Sequence, residues 1–211
     1  GIIDGRTFTH PDLRLQFSVP AGYQMQNGAR AVSISGSAGQ AQFSTGRYSG
    51  DLDSYIGQVI NGLTKGQAQI ALSPPQRTTI NGIPAAFVNG RAQTSSGVVD
   101  IGVIAYQFDR DTAYHFVTLT RGGQGLQPFA TMFDSLRRIS PTEAAAIRPR
   151  VIDVVTVRST DTVASLAARM AYRDYRVERF RSLNGLAPGA VVAPGQKVKL
   201  VVYGARNRAR G

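Results

Sequence analysis

Two histidines and two close pairs of aspartates are the residues of this chain that could carry chemistry: His10, His115, Asp51, Asp53, Asp109 and Asp111. Zinc hydrolase sites usually draw three or more ligands from His, Cys and carboxylates. The chain has no Cys and no His-Glu-x-x-His. Glycoside hydrolysis needs two carboxylates that face each other across a cleft. We therefore expect no catalytic residues and no metal ligands in this chain.

The aspartate pairs stand where Asp is favoured for local structure. Asp51 and Asp53 lie near the start of a predicted helix, where the helix dipole favours acidic side chains. Asp109 and Asp111 flank a predicted turn, in which Asp accepts hydrogen bonds from nearby backbone. Both pairs are therefore interpreted as structural rather than as glycosidase or metal sites.

The two histidines also have structural interpretations. His10 precedes Pro11, which favours an extended backbone. We expect it to pack in a surface turn, with contact to a domain outside this chain as the alternative. His115 lies in a predicted strand between Tyr114 and Phe116, and its side chain points to the face opposite theirs.

Basic residues are concentrated near the C-terminus. The chain has 211 residues and a formal net charge of +11. Residues 1–147 carry 11 Lys and Arg against 9 Asp and Glu, whereas residues 148–211 carry 13 against 4, so the net charges are +2 and +9. Such a charge can attract nucleic acid, anionic lipid or acidic cell-wall polymers. Its alternative source is the Arg-rich composition of a GC-rich genome.

The first part of the chain predicts an α+β domain, residues 1–147. Period-two alternation and turn residues predict strands near 12–19, 31–35, 41–48, 76–80, 85–93, 98–108 and 112–120. Apolar residues at helical spacing predict helices over 51–65 and 124–138, and a Ser-Pro start predicts a short helix over 141–147. Helices segregated on an antiparallel sheet define the α+β class.

The last quarter of the chain predicts a small βααβ domain, residues 148–205. We expect Ser159 or Thr160 to cap the first helix, with Asp161 in its first turn. Asn184-Gly185 is expected to close the second helix in a left-handed C-cap. Residues 206–211 are predicted to be a disordered basic tail. The apolar positions expected to face the core are Val163, Leu166, Ala167, Met170, Val177, Phe180 and Leu183.

This region resembles a LysM domain, a small module that binds glycans containing N-acetylglucosamine, such as peptidoglycan. The resemblance is carried by VVTVRSTDTVASLAARM, FRSLNGL and VVAPGQKVKLV. In LysM domains the glycan lies in a shallow groove between the loop after the first strand and the loop before the last strand. The resemblance implies a groove lined by Ser159, Thr160, Asp161, Thr162, Leu186, Ala187 and Pro188. A Thr replaces the Gly of the usual Ser-Gly-Asp-Thr, and the stretch between the helices, 171–176, is longer and charged.

A broader resemblance covers essentially the whole chain. FTHPDLRLQFSVPAGYQMQNGARAV near the start and FATMFDSLRRISPTEAAAIRPR before the LysM-like region resemble bacterial cell-envelope zinc metallopeptidases of the BepA type. In these proteins a His-Glu-x-x-His domain lies upstream of a middle domain and a LysM-like tail. The resemblance implies a PsbP-like α/β/α sandwich for residues 1–147. It places zinc only in a missing upstream domain and implies no cofactor in this chain.

Four arginines interleaved with aromatic residues form a candidate basic patch. They are Arg173, Arg176, Arg179 and Arg181 in the segment RDYRVERFR. A basic, partly aromatic helix can follow the phosphates of a nucleic acid. Strands frame the two helices, however, and the loop that joins them is longer than the turn of a helix-turn-helix. Nucleic acid is therefore the least favoured of the partners.

Three hypotheses follow for function. In the first, the chain is the non-catalytic accessory region of a periplasmic zinc metalloprotease, a scaffold or substrate-docking platform whose LysM-like domain docks on peptidoglycan or on the upstream protease domain of the same polypeptide. In the second, it is a stand-alone peptidoglycan-binding protein, and in the third it binds nucleic acid. The first two imply the periplasm or cell envelope. No apolar run approaches the roughly 18 residues of a membrane-spanning helix, and the start at Gly1 suggests a processed or trimmed product.

Overall fold

The computed structural model describes residues 1–65 and 70–205. It divides the chain into two compact units, Gly1–Ser140 and the residues from Pro141 onwards. The predicted tail, 206–211, lies outside the described residues, and the domain limits 1–147 and 148–205 stay a prediction. In the described ranges, no helix has the length and apolar character needed to cross a membrane.

The first unit is built mainly of antiparallel strands. Its helices are α1 (Leu52–Thr64) and α2 (Ala130–Ser135), and a 3₁₀ turn covers Gln127–Phe129. Its strands are β1 (Ile2–Asp4), β2 (Thr7–His10), β3 (Leu15–Ser18), β4 (Gln24–Asn27), β5 (Val32–Gly36), β6 (Gly39–Thr45), β7 (Ala71–Leu72), β8 (Gln76–Ile80), β9 (Ile83–Thr94), β10 (Gly97–Gln107), β11 (Ala113–Arg121) and β12 (Arg137–Arg138).

The strands of the described part form a small and a large sheet. The small sheet has the order β1-β2-β3-β12, and the large sheet has the order β4-β5-β6-β11-β10-β9-β7, with β8 also paired to β9. Every strand pair described in this unit is antiparallel, including the long hairpins β9/β10 and β10/β11. This arrangement confirms the predicted α+β class.

Strand β11 separates two apolar cores because successive side chains point to opposite faces. Tyr114 and Phe116 belong to the larger core, which contains Phe17, Phe43 and residues of α2. Ala113 and Val117 belong to the other core, beneath α1. His115 shares the α1 face, so the prediction that it points away from its aromatic neighbours is confirmed.

Helix α1 follows its predicted periodicity. Leu52, Tyr55, Ile56 and Ile60 are buried, as the i, i+3, i+4 spacing requires. The Asp51 carboxylate caps the helix by accepting a hydrogen bond from the Ser54 backbone N–H at 2.8 Å. The helix therefore begins one residue later than predicted because Asp51 is its cap.

The helix predicted over 124–138 is confirmed only in its middle part, and its predicted ends are wrong. The chain forms the 3₁₀ turn, the six-residue α2 and then strand β12, because the backbone at Leu136 is extended (φ −65°, ψ 125°). Strand β12 pairs with β3, so tertiary pairing overrides the apolar stripe. The predicted strand over 12–19 shortens to β3 because Arg14 has a positive φ of 55° and donates its N–H to the Pro11 carbonyl.

The second unit confirms the predicted βααβ order. After the short helix α3 (Pro141–Ala146) come β13 (Arg150–Thr156), α4 (Val163–Ala168), α5 (Arg176–Asn184) and β14 (Lys197–Tyr203). Strands β13 and β14 form a two-stranded antiparallel sheet within the described residues. Its core contains the apolar positions predicted from the sequence, with Leu166, Phe180 and Leu200 fully buried.

Candidate functional site

The two loops of the implied glycan groove leave the same end of the β13–β14 sheet. Thr156, the last residue of β13, pairs with Lys197, the first residue of β14. Val157 extends this pairing because its N–H donates to the Gln196 carbonyl and its carbonyl accepts from the Gly195 N–H, both at 2.8 Å. The register therefore brings the loop after β13 next to the loop before β14.

The first loop is closed by its own hydrogen bonds. The Asp161 carboxylate accepts from the Arg158 backbone N–H at 2.7 Å, and the Asp161 N–H donates to the Arg158 carbonyl at 3.0 Å. Ser159 and Thr160, between these two residues, are exposed. Thr160 is not among the described residues with a left-handed backbone. The Thr at this position therefore needs none of the freedom that Gly offers.

The predicted cap of α4 is wrong. Thr162 is the N-cap, and its hydroxyl accepts from the Ser165 N–H at 3.0 Å while the Ser165 hydroxyl accepts from the Thr162 N–H at 2.8 Å. This reciprocal pair is a capping box with Ser in the third position. Asp161 consequently precedes the cap rather than lying in the first turn of the helix. The Asp161 carboxylate therefore stabilises the loop rather than the start of the helix.

The second loop starts at the predicted C-cap. Gly185 has a left-handed backbone with φ 63° and ends α5, which confirms the Asn-Gly signal. Arg181 then holds the loop, because its guanidinium donates to the carbonyls of Ala187 and Ala190 at 2.8 and 3.0 Å. Leu186 packs against the core, whereas Ala187 and Pro188 are exposed.

The seven implied groove residues thus fall into two groups. Asp161, Thr162 and Leu186 maintain the shape of the loops. The side chains that remain open to a ligand are those of Ser159, Thr160, Ala187 and Pro188. All four are uncharged, so the opening suits a neutral, hydrogen-bonding ligand, although the contacts of each residue with a glycan stay a prediction.

The candidate basic patch is largely engaged in the structure of the domain. Arg176 donates to the Tyr172 carbonyl. Arg179 pairs with the Asp174 carboxylate at 3.4 Å, and its guanidinium lies 4.4 Å from the centre of the Tyr172 ring. Arg181 holds the second groove loop as described above. Arg173 is exposed.

Tyr172 ties the long stretch between the helices to the sheet. The guanidinium of Arg150, in β13, lies 4.9 Å from the centre of the same ring, and its Nε donates to the Ala171 carbonyl at 2.9 Å. The Ala171 N–H in turn donates to the Val201 carbonyl of β14 at 2.8 Å. The stretch therefore packs at the end of the sheet opposite the groove loops.

In the first unit, Tyr55 and His115 line a cleft of about 360 Å³. The Tyr55 hydroxyl lies 2.7 Å from Nδ1 of His115 and 3.3 Å from the Ala113 carbonyl oxygen. Burial lowers the pKa of His115 to about 4. Burial also raises the pKa of Tyr55 to about 12. Both groups are therefore neutral near pH 7, as expected for a buried structural pair.

His10 is the last residue of β2, directly before the surface turn in which it was expected. Its Nδ1 accepts from the Leu13 N–H at 3.3 Å, and its ring lies edge-on to Phe8 with the ring centres 6.4 Å apart. Partial burial is the main cause that lowers the pKa of His10 below its usual value, with the positive N-terminal amine as a second cause.

The aspartate pairs have the local roles predicted for them. Asp51 caps α1, and Asp53 forms an ion pair with Arg77 at 2.8 Å. The Asp109 carboxylate accepts from the Asp111 backbone N–H at 2.9 Å, and this bond is the main cause that lowers the pKa of Asp109. Within residues 1–65 and 70–205, no group of three or more His, Cys, Asp or Glu side chains is arranged to hold a metal ion.

Asp100 is a buried acid that the sequence interpretation missed. It lines a cleft of about 550 Å³, where its carboxylate accepts from the Gly125 N–H at 2.7 Å and from Arg91 at 3.2 Å. The Gly125 bond is the main cause that lowers its pKa. A charged residue inside the apolar run GVVDIGVIAY was the signal that could have revealed it.

Comparisons with known proteins support the interpretation of the second unit. Residues 155–201 match the LysM domain family. No curated protein matches the chain. The solution structure of cyanobacterial PsbP (CyanoP) from Synechocystis sp. PCC 6803 is 14% identical with a TM-score of 0.48, and the match covers 65% of this chain and 94% of that chain.

A second similar structure comes from Bacteroides thetaiotaomicron VPI-5482. It is 10% identical with a TM-score of 0.48, and the match covers 95% of this chain and 87% of that chain. A PsbP structure is thus among the similar structures, as the resemblance of the first domain predicted. The LysM match identifies the C-terminal domain.

Proposed function

We propose that this chain binds glycans containing N-acetylglucosamine, with peptidoglycan as the ligand class, through its LysM domain. The observation that carries this proposal is the LysM match over residues 155–201. The register of β13 and β14 supports it, because the loops that the LysM resemblance assigns to the groove leave the same end of the sheet. Their exposed side chains are uncharged, as suits recognition of a neutral sugar.

The loops are held in place before any ligand arrives. Asp161 closes the first loop, and Arg181 fixes the backbone of the second at two carbonyls. A preformed loop loses little conformational entropy on binding, so more of the contact energy contributes to affinity. This supports a groove in which Ser159, Thr160, Ala187 and Pro188 contact the glycan and the other implied residues position them.

The proposal is tested by co-sedimentation of the full chain with insoluble peptidoglycan at low and at physiological salt. We expect saturable retention at both, competed by chitin oligomers. The double variant Thr160→Gln, Ala187→Gln adds bulk to both loops without changing charge, so it should lose retention. Arg173→Gln, which removes one exposed charge outside the groove, is the matched control and should keep it.

Retention by charge alone gives a different pattern. Physiological salt weakens the attraction between exposed charges, because the Debye length is then only about 8 Å. If the wild-type chain is released by physiological salt, and the loop variant behaves as the wild type does, glycan recognition is wrong. Steeply salt-dependent affinity for DNA or RNA would then favour the nucleic-acid hypothesis.

We also propose that the chain is the accessory, non-catalytic region of a cell-envelope zinc metallopeptidase. The resemblance of its opening segment and of the segment before the LysM domain to the BepA type supports this. The first unit would serve as a scaffold or substrate-docking platform, with zinc held by an upstream domain. The test is the complete reading frame, because a frame without an upstream His-Glu-x-x-His would end this proposal and leave glycan binding intact.

A further inference from the structure

The two edges of the β13–β14 sheet differ in how their backbone groups are satisfied. On the outer edge of β14, the Asn184 side chain accepts from the Lys199 N–H at 2.7 Å and donates to the Lys199 carbonyl at 2.9 Å. The Val201 carbonyl accepts from the Ala171 N–H at 2.8 Å. This edge is therefore occupied by the domain itself.

The outer edge of β13 is open. Because Val157 bonds to the loop before β14, and because bonding alternates along an antiparallel pair, the N–H and C=O of Ile152 and Val154 point away from β14. In the described part of the chain, no hydrogen bond reaches these four groups. Native proteins usually cover or blunt such an edge, since it is a template for pairing with another strand.

On the outer face of the sheet, β13 presents apolar side chains in its centre, and the basic side chains of this face lie at its ends and on β14. Ile152 and Val154 are 62% and 56% exposed. The register places Val201 beside Ile152 and Lys199 beside Val154. The alternation of side chains along the strands places Lys197 at one end of the same face and Arg150, whose guanidinium also contacts the Tyr172 ring and the Ala171 carbonyl, at the other end.

The acid of β13 lies on the other face. Asp153 is opposite Leu200, which is buried beneath the helices. The outer face thus carries only basic charges within β13 and β14, which favours a partner with acidic residues. A charge on the inward face of an edge strand also opposes indiscriminate pairing. Self-pairing centred on Asp153 would bring two carboxylates and two basic faces together.

We propose that the open edge of β13 binds an extended polypeptide with apolar central residues and acidic ends, which joins the sheet as a third strand. The backbone groups of Ile152 and Val154 would bond to the partner strand, and their side chains would pack beside its apolar residues. Addition of a strand to an exposed edge is a recurrent mode of peptide recognition, in which main-chain bonds give affinity and alternate side chains give specificity.

The test uses the full chain and a fluorescently labelled peptide, Glu-Thr-Val-Thr-Val-Thr-Glu, followed by fluorescence anisotropy. Antiparallel to β13, this peptide places its valines beside Val154 and Ile152 and its glutamates near the basic ends. We expect saturable binding. Val154→Pro removes an outward N–H at a position where an edge strand tolerates Pro, and it should weaken binding roughly tenfold. Val191→Ser, at an exposed apolar residue outside the sheet, is the matched control.

Two peptide controls keep the test independent of the folding of the variant. N-methylation of the two valine nitrogens removes the main-chain donors that face β13 and should abolish binding. The charge-reversed peptide Lys-Thr-Val-Thr-Val-Thr-Lys should bind roughly tenfold more weakly. Equal binding of the acidic and basic peptides, or of the methylated peptide, would overturn the proposal.

The alternative occupant of the β13 edge is a second copy of this chain. Analytical ultracentrifugation of the wild type and of Val154→Pro tests it. We expect both to sediment as monomers. A dimer that Val154→Pro dissociates, together with no binding of the acidic peptide, would overturn the proposal in favour of self-pairing.

Discussion

Nδ1 of His115 lies 2.7 Å from the hydroxyl oxygen of Tyr55, and this contact joins strand β11 to helix α1 inside the smaller core of the first unit. The imidazole is 8% exposed. A protonated ring at this depth would be a buried cation, and burial accordingly lowers the pKa of His115 to about 4. The packing of α1 is therefore coupled to pH.

The first prediction is a loss of stability in mild acid. The folded pKa of about 4 lies below the usual 6.5, so the unfolded chain binds the proton more readily. The stabilisation is fully present above pH 6.5 and is lost as the pH falls towards 4, by roughly 3 kcal/mol in all. Urea unfolding followed by near-UV circular dichroism at about pH 7 and pH 5 should show about 2 kcal/mol of this loss in the free energy of unfolding.

Two variants separate His115 from the other histidine. His115→Gln keeps a hydrogen-bonding group near Tyr55 and removes the titration, so its stability should depend much less on pH over this range. His10→Gln should retain most of the wild-type dependence, because His10 is only partly buried. An unchanged pH dependence in His115→Gln would contradict the coupling.

The second prediction concerns the cap of α4. Thr162→Ala removes one half of the capping box and should lower the free energy of unfolding of the second unit by about 1 kcal/mol. Thr160→Ala changes an exposed loop residue of the same type and should stay within about 0.5 kcal/mol. Urea unfolding of both variants makes the comparison, and equal losses would place the cap elsewhere.

The third prediction concerns the occupied edge of β14. Asn184→Ala leaves the N–H and C=O of Lys199 without their side-chain partners. We expect a loss of roughly 1–2 kcal/mol in the free energy of unfolding. Amide hydrogen exchange should show reduced protection at Lys199 and little change at Val198, whose bonds run to β13. Unchanged protection at Lys199 would contradict the role of the Asn184 side chain as the partner of its N–H.

The fourth prediction separates positioning from stability. Arg181→Met keeps the apolar stem but removes the donors to the Ala187 and Ala190 carbonyls. We expect peptidoglycan retention to weaken roughly three- to tenfold because the loop is no longer preformed. The free energy of unfolding should change by less than about 1 kcal/mol. Arg173→Met is the matched control, and equal effects of the two variants would indicate loss of charge alone.

Local signals predicted the elements that carry their own caps and periodicity. The α1 stripe and the Asn-Gly end of α5 depend on neighbouring residues, and both were predicted correctly. The prediction for the β12 segment was wrong because this strand forms only by pairing with β3, more than a hundred residues away in sequence. Strand β4, Gln24–Asn27, has little apolar alternation to reveal it.

The site was predictable in outline but not in the roles of its residues. The LysM-like order located both loops, since it depends on local elements. The N-cap of α4 is Thr162 rather than the predicted Ser159 or Thr160. The reason is that the Asp161 carboxylate accepts a hydrogen bond from the Arg158 N–H, which keeps residues 158–161 in the loop. Arg181 was assigned to a basic patch, whereas its donors fix a neutral loop, a contact that composition does not reveal.

The pairing of Arg150 with Tyr203 brings the two ends of the β13–β14 sheet strands together at one edge of the LysM domain. Strand β13 begins and β14 ends side by side, and the Gly204 N–H donates to the Pro149 carbonyl at 2.7 Å just outside that pair. The two candidate groove loops lie at the other end of the same strands. A polypeptide fused before β13 or after β14 therefore starts from the end remote from the groove, so the module can be grafted onto an unrelated host or repeated in tandem without obstructing its ligand.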